Sequence, residues 1–200
     1  MKILAGGDFH GNPKKAEALA RRALEENVDL IILCGDITHS DTVRGAMIKP
    51  FIETGKKVIF VPGNHDSPAT AQFITDFYDI INLENKAFYT YDIGIFGSGA
   101  VNCGIHQSSD YENFNSLAKG FDSVKGLKKK IMITHTHPSG SKIEMLSNFV
   151  AGSNAVSKAI NDFKPDLHIC CHVHEAEGVE EKIGNTIVHS VGPKGKIIEL

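Results

Sequence analysis

Two hundred residues, 42% of them hydrophobic and 22% charged, suit one domain, residues 1–200, large enough to bury a single core. A net charge of −3 and a pI near 6.4 argue against a surface that coats nucleic acid, which would be basic. No apolar run reaches the length of a membrane span, and the stretch opening the chain is too short for a signal sequence, so a soluble, cytoplasmic protein is expected.

In chain order, Lys2–Ala5 predicts a strand and Asn12–Glu26 a helix, with Asn12 as its cap and Pro13 at its first position. Leu19, Ala20, Ala23 and Leu24 give that helix an apolar stripe. Leu30–Cys34 is continuously apolar, as a strand buried on both faces must be. A helix over about Asp41–Glu53 and a strand over Val58–Val61 complete a βαβαβ pattern, which implies a parallel sheet. Ala69–Phe77 then reads as helical. Ala87–Tyr91 and Gly94–Gly97 read as short antiparallel strands, and Tyr111–Val124 as a helix. Strands at Ile131–Ile133 and Leu167–Cys170 flank a helix near Asn154–Phe163. Gly178–Leu200 reads as a meander broken at Gly184-Asn185, Gly192-Pro193 and Gly195. Cys34, Cys103, Cys170 and Cys171 form no C-x-x-C pair, and three of them sit in apolar runs, so buried free thiols are expected.

Ten histidines with no tryptophan need an explanation, and their positions supply one. Asp8-Phe9-His10, Gly35-Asp36, Gly63-Asn64-His65-Asp66, Thr134-His135 and His172-Val173-His174 each follow an apolar strand. Open α/β sheets place their sites at such strand ends. Residues i and i+2 of extended backbone point the same way, so Asp8 with His10, and His172 with His174, can meet one ion. An apolar scaffold gains nothing from crowding carboxylates and imidazoles together, because each buried polar group needs a partner. Mixed oxygen and nitrogen donors suit two divalent transition-metal ions, and a pair of such ions activates water against a phosphate ester.

The order D-x-H, G-D, G-N-H-D, a histidine before H-P, then H-x-H resembles the calcineurin-like metallophosphoesterase family, from Asp8 to His174. The resemblance implies a four-layer α/β/β/α sandwich with a dinuclear centre. Asp8, His10 and His174 would bind the first metal, Asn64, His135 and His172 the second, and Asp36 would bridge them. His65 would face the substrate as proton donor or charge stabiliser. Its neighbour Asp66 is expected either to orient the His65 ring or to cap the loop. Two positions depart from the family pattern. Cys171 replaces the usual glycine before H-x-H, and is expected to pack rather than ligate. Ser139 follows His135-Thr136-His137-Pro138 where a second proline is common; His135 is taken as the ligand, with His137 lining the pocket.

Manganese is the favoured metal, with iron, zinc or nickel as alternatives. The expected reaction is attack of metal-bound hydroxide on a small phosphate ester or phosphodiester. A nuclease, or a noncatalytic scaffold of the same fold, is the alternative. Selectivity would fall to residues 97–111 and 138–148. His39, three residues past Asp36, reads either as approaching the phosphate or as a solvated loop residue, and His106 as part of a substrate loop. His168 and His189 read as structural, and Lys128–Lys130 as a solvated approach to a strand. Neither membrane nor nucleic acid is expected as a partner.

Overall fold

The computed structural model describes residues 1–42, 46–147 and 150–200. Its first sheet carries strands β1 (Lys2–Gly6), β2 (Leu30–Cys34), β3 (Lys57–Val61) and the short β4 (Ile81–Asn82), all parallel, with β11 (Lys196–Glu199) antiparallel on the far side of β1. The second sheet runs β5 (Ala87–Thr90), β6 (Ile93–Ser98), β7 (Lys129–Thr134), β8 (Leu167–Cys170), β10 (Thr186–Ser190) and β9 (Glu180–Ile183). Its central strands β6, β7, β8 and β10 are parallel, and each edge is an antiparallel hairpin partner.

Alternation along the strands builds the layers. Ile3, Ala5, Leu30, Ile32, Cys34, Ile59 and Val61 turn one way and meet Ile95, Ile131, Ile133, Leu167 and Ile169 of the second sheet. Leu4, Ile31, Leu33, Val58 and Phe60 turn the other way, onto helices α1 (Pro13–Glu25), α2 (Lys49–Ile52) and α3 (Pro68–Tyr78). Phe96, Met132, Cys170 and Val188 do the same beneath α4 (Asp110–Asp122) and α6 (Asn154–Phe163). Helix, sheet, sheet and helix therefore stack in four layers, as two sheets each with two covered faces require.

Helix α1 starts as its sequence dictates: the Asn12 side chain accepts from Lys14 N, and Pro13 fills the first turn. Ser109 and Glu112 form a reciprocal cap on α4. The helix expected over Asp41–Glu53 is shorter. Residues 43–45 lie outside the described residues, α2 begins at Lys49, and Ser40 and Asp41 adopt left-handed backbone. Asp41 is held out of a helix because its N–H donates to His65 O and its carboxylate accepts from Ser67 N. The expected C-terminal meander divides: β9 and β10 close the second sheet, whereas β11 crosses to the first. Helix α5 (Lys142–Ser147) and β4 had no expectation attached. Among the described residues no helix is long and apolar enough to cross a membrane.

Candidate metal centre

The five donor segments sit just beyond the C-terminal ends of β1, β2, β3, β7 and β8. Three come from one sheet and two from the other, so they converge where the parallel strands of both sheets end. Pairing continues past the strands. Asp8 N donates to Gly35 O, His10 N to Asp36 O and Gly11 N to Ile37 O, at 3.0, 2.9 and 3.1 Å. Asp8, His10, Asp36 and His172 all have positive φ, a conformation costly to ordinary side chains and concentrated at functional sites. Two glycines make the crowding feasible. A side chain at Gly63 would collide with the Asp36 carboxylate. At Gly35, with φ +87°, a Cβ would lie 2.6 Å from His135 Nδ1.

Three triads of donors occur among the described residues: two contain a carboxylate, and the third, His10, His39 and His65, is all imidazole and shares His10 with the first. Asp8, His10 and His174 have ligand atoms within 4.8 Å of one another, and so do Asp36, His135 and His172. Asp36 reaches both: its Oδ2 lies 3.6 Å from His10 Nε2, and its Oδ1 3.6 Å from His135 Nε2. Asn64 joins the second triad, with Oδ1 3.1 Å from His135 Nε2.

The donors fit a cation because their lone pairs face one another. His135 Nδ1 lies 2.8 Å from Cys34 O; a carbonyl only accepts, so Nδ1 carries a proton, and in the neutral ring Nε2 is the bare nitrogen. That bare nitrogen meets Asn64 Oδ1, and also His172 Nδ1 at 3.0 Å. His10 Nε2 and His174 Nε2 stand 3.0 Å apart. Asp8 Oδ2 accepts from His172 N, while the buried Oδ1 has no hydrogen-bond partner among the described residues. Burial raises the Asp8 and Asp36 carboxyls to about 7, the latter helped by Asp66. Burial also lowers His10 to about 3, with the neighbouring His65 and His174 adding to the effect, and depresses His172 in the same way. Burial thus keeps protons on the carboxyls up to near neutral pH and leaves the imidazoles neutral, with lone pairs turned to one another. A cation between the donors would meet those lone pairs and favour the ionised carboxylates.

His65 lies outside both carboxylate-bearing triads and groups with His10 and His39 instead. Its Nδ1 is 3.4 Å from Ser40 Oγ, and its backbone N–H donates to Asp36 Oδ1. The Asp66 carboxylate does not orient the ring. It accepts from Ile37 N, Thr38 N, Thr38 Oγ1 and Gly63 N, and so ties the β2 and β3 loops together beneath the site. The orienting alternative fails because those four donors take up both carboxylate oxygens.

His137 is fully buried behind His172, with ring centroids 6.5 Å apart, and belongs to none of the triads. It does not line an open pocket. Cys171 is buried between the sheets; its Sγ occupies the space a side chain at Gly7 would need, and burial holds the thiol well above its usual range. His39 stacks on His65, and His106 Nε2 is 3.1 Å from Asp41 Oδ2. His168 bonds Thr134 Oγ1, and His189 Nδ1 lies 3.2 Å from Glu180, both structural contacts. Lys128 pairs with Asp92, and Lys130 Nζ donates to Leu127 O. Sequence reasoning missed Cys103, whose Sγ lies 3.4 Å from His172 Nε2, and Gly104, which packs on Asn64. Their only signal was the polar, glycine-punctuated stretch after β6. Beside the Asn64 loop is a cleft of about 650 Å³ lined by Gly63, Asp66, Gln72, Asn82, Val101 and Ile105 among others.

A sandwich of this kind, with two carboxylate-bearing triads where its sheets end, has the fold of a phosphoesterase. The chain belongs to the calcineurin-like phosphoesterase family, which matches residues 1–176. It is 28% identical over 207 residues to the uncharacterised protein MJ1162 of Methanocaldococcus jannaschii, an alignment covering 99% of this chain and 91% of that one. Among solved structures, TT1561 of Thermus thermophilus matches with a TM-score of 0.77 at 19% identity, over 96% of this chain and 90% of that chain. A dimetal phosphatase from Danio rerio matches at 0.61 and 11% identity, over 96% and 88%. Likeness at these identities concerns the fold.

Proposed function

We propose that this chain is a hydrolase of small phosphate esters or phosphodiesters that works with two divalent transition-metal ions, manganese being favoured. The observation that carries this reading is Asp36, whose two carboxylate oxygens each lie 3.6 Å from an imidazole of a different triad. Asp8, His10 and His174 would hold one ion and Asn64, His135 and His172 the other, with Asp36 shared. When bound, such ions supply an activated water and Lewis acidity toward the phosphoryl oxygens.

The chain's own residues supply the rest. Cys34 O fixes the His135 tautomer, so that Nε2 faces the site. Asp66 locks the turn bearing Asp36 to the turn bearing Asn64 and His65. His65, with Ser40 at Nδ1, has Nε2 available to protonate the leaving oxygen. The cleft beside Asn64 is of a size to take the alcohol portion of a small ester.

Manganese reconstitution tests the reading. The protein should take up two ions per chain and hydrolyse at least one ester in a panel of monoesters and diesters. His65→Ala should keep both ions and lose about 10²–10⁴-fold in turnover on esters with poor leaving groups. Saturation with no bound ion would falsify the ligand assignment. Two bound ions with no turnover across the panel would favour the scaffold.

A further inference from the structure

We infer that His39 is a second substrate-contacting imidazole, which donates a hydrogen bond to the phosphate beside His65. The inference rests on the phosphoesterase reading and extends it to a residue outside both carboxylate-bearing triads. The His39 and His65 rings stack with centroids 4.9 Å apart and planes 16° from parallel. His10 meets both edge-on, at 6.0 Å from His39 and 4.9 Å from His65. One ring nitrogen from each of the three lies within 4.8 Å of the others. An oxygen held among those nitrogens is within reach of more than one of them.

The stack is built rather than incidental. Asp41 N donates to His65 O, and Asp41 Oδ1 accepts from Ser67 N, so the β2 loop is stitched to the β3 loop on the side where the rings meet. Thr42 N donates to His39 O and closes the turn that presents the ring. Gly11 N donates to Ile37 O and brings the His10 loop alongside; a side chain at Gly11 would touch His39 Cβ. His39 itself is exposed, and packing gives the fold no reason for an imidazole there. Asp8, Asp36 and His135 are buried, whereas His39 is exposed, on the open side of the cluster with the exposed His174. A neutral imidazole still carries one N–H, so the contact does not depend on protonation.

Two substitutions separate a donor from a prop. His39→Phe preserves a flat ring against His65 but removes the N–H; His39→Gln removes the ring but keeps an N–H donor. Manganese content, binding of inorganic phosphate by calorimetry, and turnover are measured on the manganese-loaded full chain. A hydrogen bond to a charged group is worth about 10- to 100-fold in affinity. His39→Phe should weaken phosphate by about that factor with both ions retained, and His39→Gln should recover part of it. Unchanged phosphate affinity in His39→Phe would overturn the inference, as would loss of an ion in either variant, which would make His39 a ligand. Because phosphate binding is read independently of turnover, absent ester hydrolysis would count against the proposed activity and leave the His39 result to stand or fall alone.

Discussion

At the scale of single residues, the centre is governed by which lone pairs have protons to meet. His135 and His137 are two positions apart on one strand exit, yet their surroundings differ. His135 Nδ1 has Cys34 O as a fixed partner and Nε2 points at Asn64, His172 and Asp36. Among the described residues neither His137 nitrogen has a well-formed hydrogen bond, and burial lowers it to about 4, against the raising effect of Glu144 and the Val150 backbone, which keeps it neutral. His135→Ala should therefore cost one of the two ions, while His137→Ala should keep both and lower stability by opening a cavity. Metal stoichiometry measured on the two variants decides it. The reverse pattern would transfer the ligand role to His137. That these donors gather at the strand ends was legible in the sequence, but their backbone was not. Asp8, His10 and His172 have positive φ where extended backbone was expected, and His172 and His174, expected to point the same way, fall in different triads. The roles of Asp66 and Cys103 were not legible either. Each depends on which backbone or ring the fold brings alongside, 28 and 29 residues away for Asp66 and 69 for Cys103.

At the scale of elements, strands and helices whose burial is set by their own pattern were readable, and those set by neighbours were not. The predicted Leu30–Cys34, Leu167–Cys170 and Asn154–Phe163 match β2, β8 and α6. The helix expected from Asp41 failed because its opening residues are recruited by the His65 loop, which no local propensity registers. Strand β8 carries a further consequence in His168, fully buried and lowered to about 3 by burial, with His137 and His189 adding to the shift. Thr134 Oγ1 donates to Thr136 O and so accepts from His168 Nε2, leaving Nδ1 buried and bare. The folded chain cannot protonate that ring between pH 6.5 and about 3, whereas the unfolded chain can. Stability attributable to His168 is thus intact above pH 6.5 and is lost as the pH falls, by up to about 1.4 kcal/mol per unit. Urea denaturation from pH 7 to pH 5 should show a shallower pH slope for His168→Leu than for the natural chain. Parallel slopes would mean that the ring finds a proton-accepting route the fold does not display.

At the scale of the whole molecule, the site depends on strands from both sheets ending together, and the final residues hold that arrangement. The family match stops at residue 176, and β9, β10 and β11 follow it. After β10 closes on β8 in the second sheet, the chain crosses over, and Gly192 O accepts from Gly7 N immediately before Asp8. Strand β11 then pairs with β1 from Lys2↔Glu199 to Ala5↔Lys196, and Leu200 N donates to Met1 O. We infer from this return that residues 1–200 fold as one unit. Deleting residues 196–200 would leave β1, which positions Asp8 and His10, as an edge strand, and would remove Ile197 and the buried Ile198 from the core. The buried Ile198 is worth about 1.5–3 kcal/mol and the half-buried Ile197 less, together a sizeable part of the stability of a domain. The shortened chain should denature at lower urea and, where it remains folded, hold one ion instead of two, since the Asp8–His10–His174 triad loses its support first. An unchanged midpoint with two ions retained would show that the first sheet holds β1 without its terminal partner.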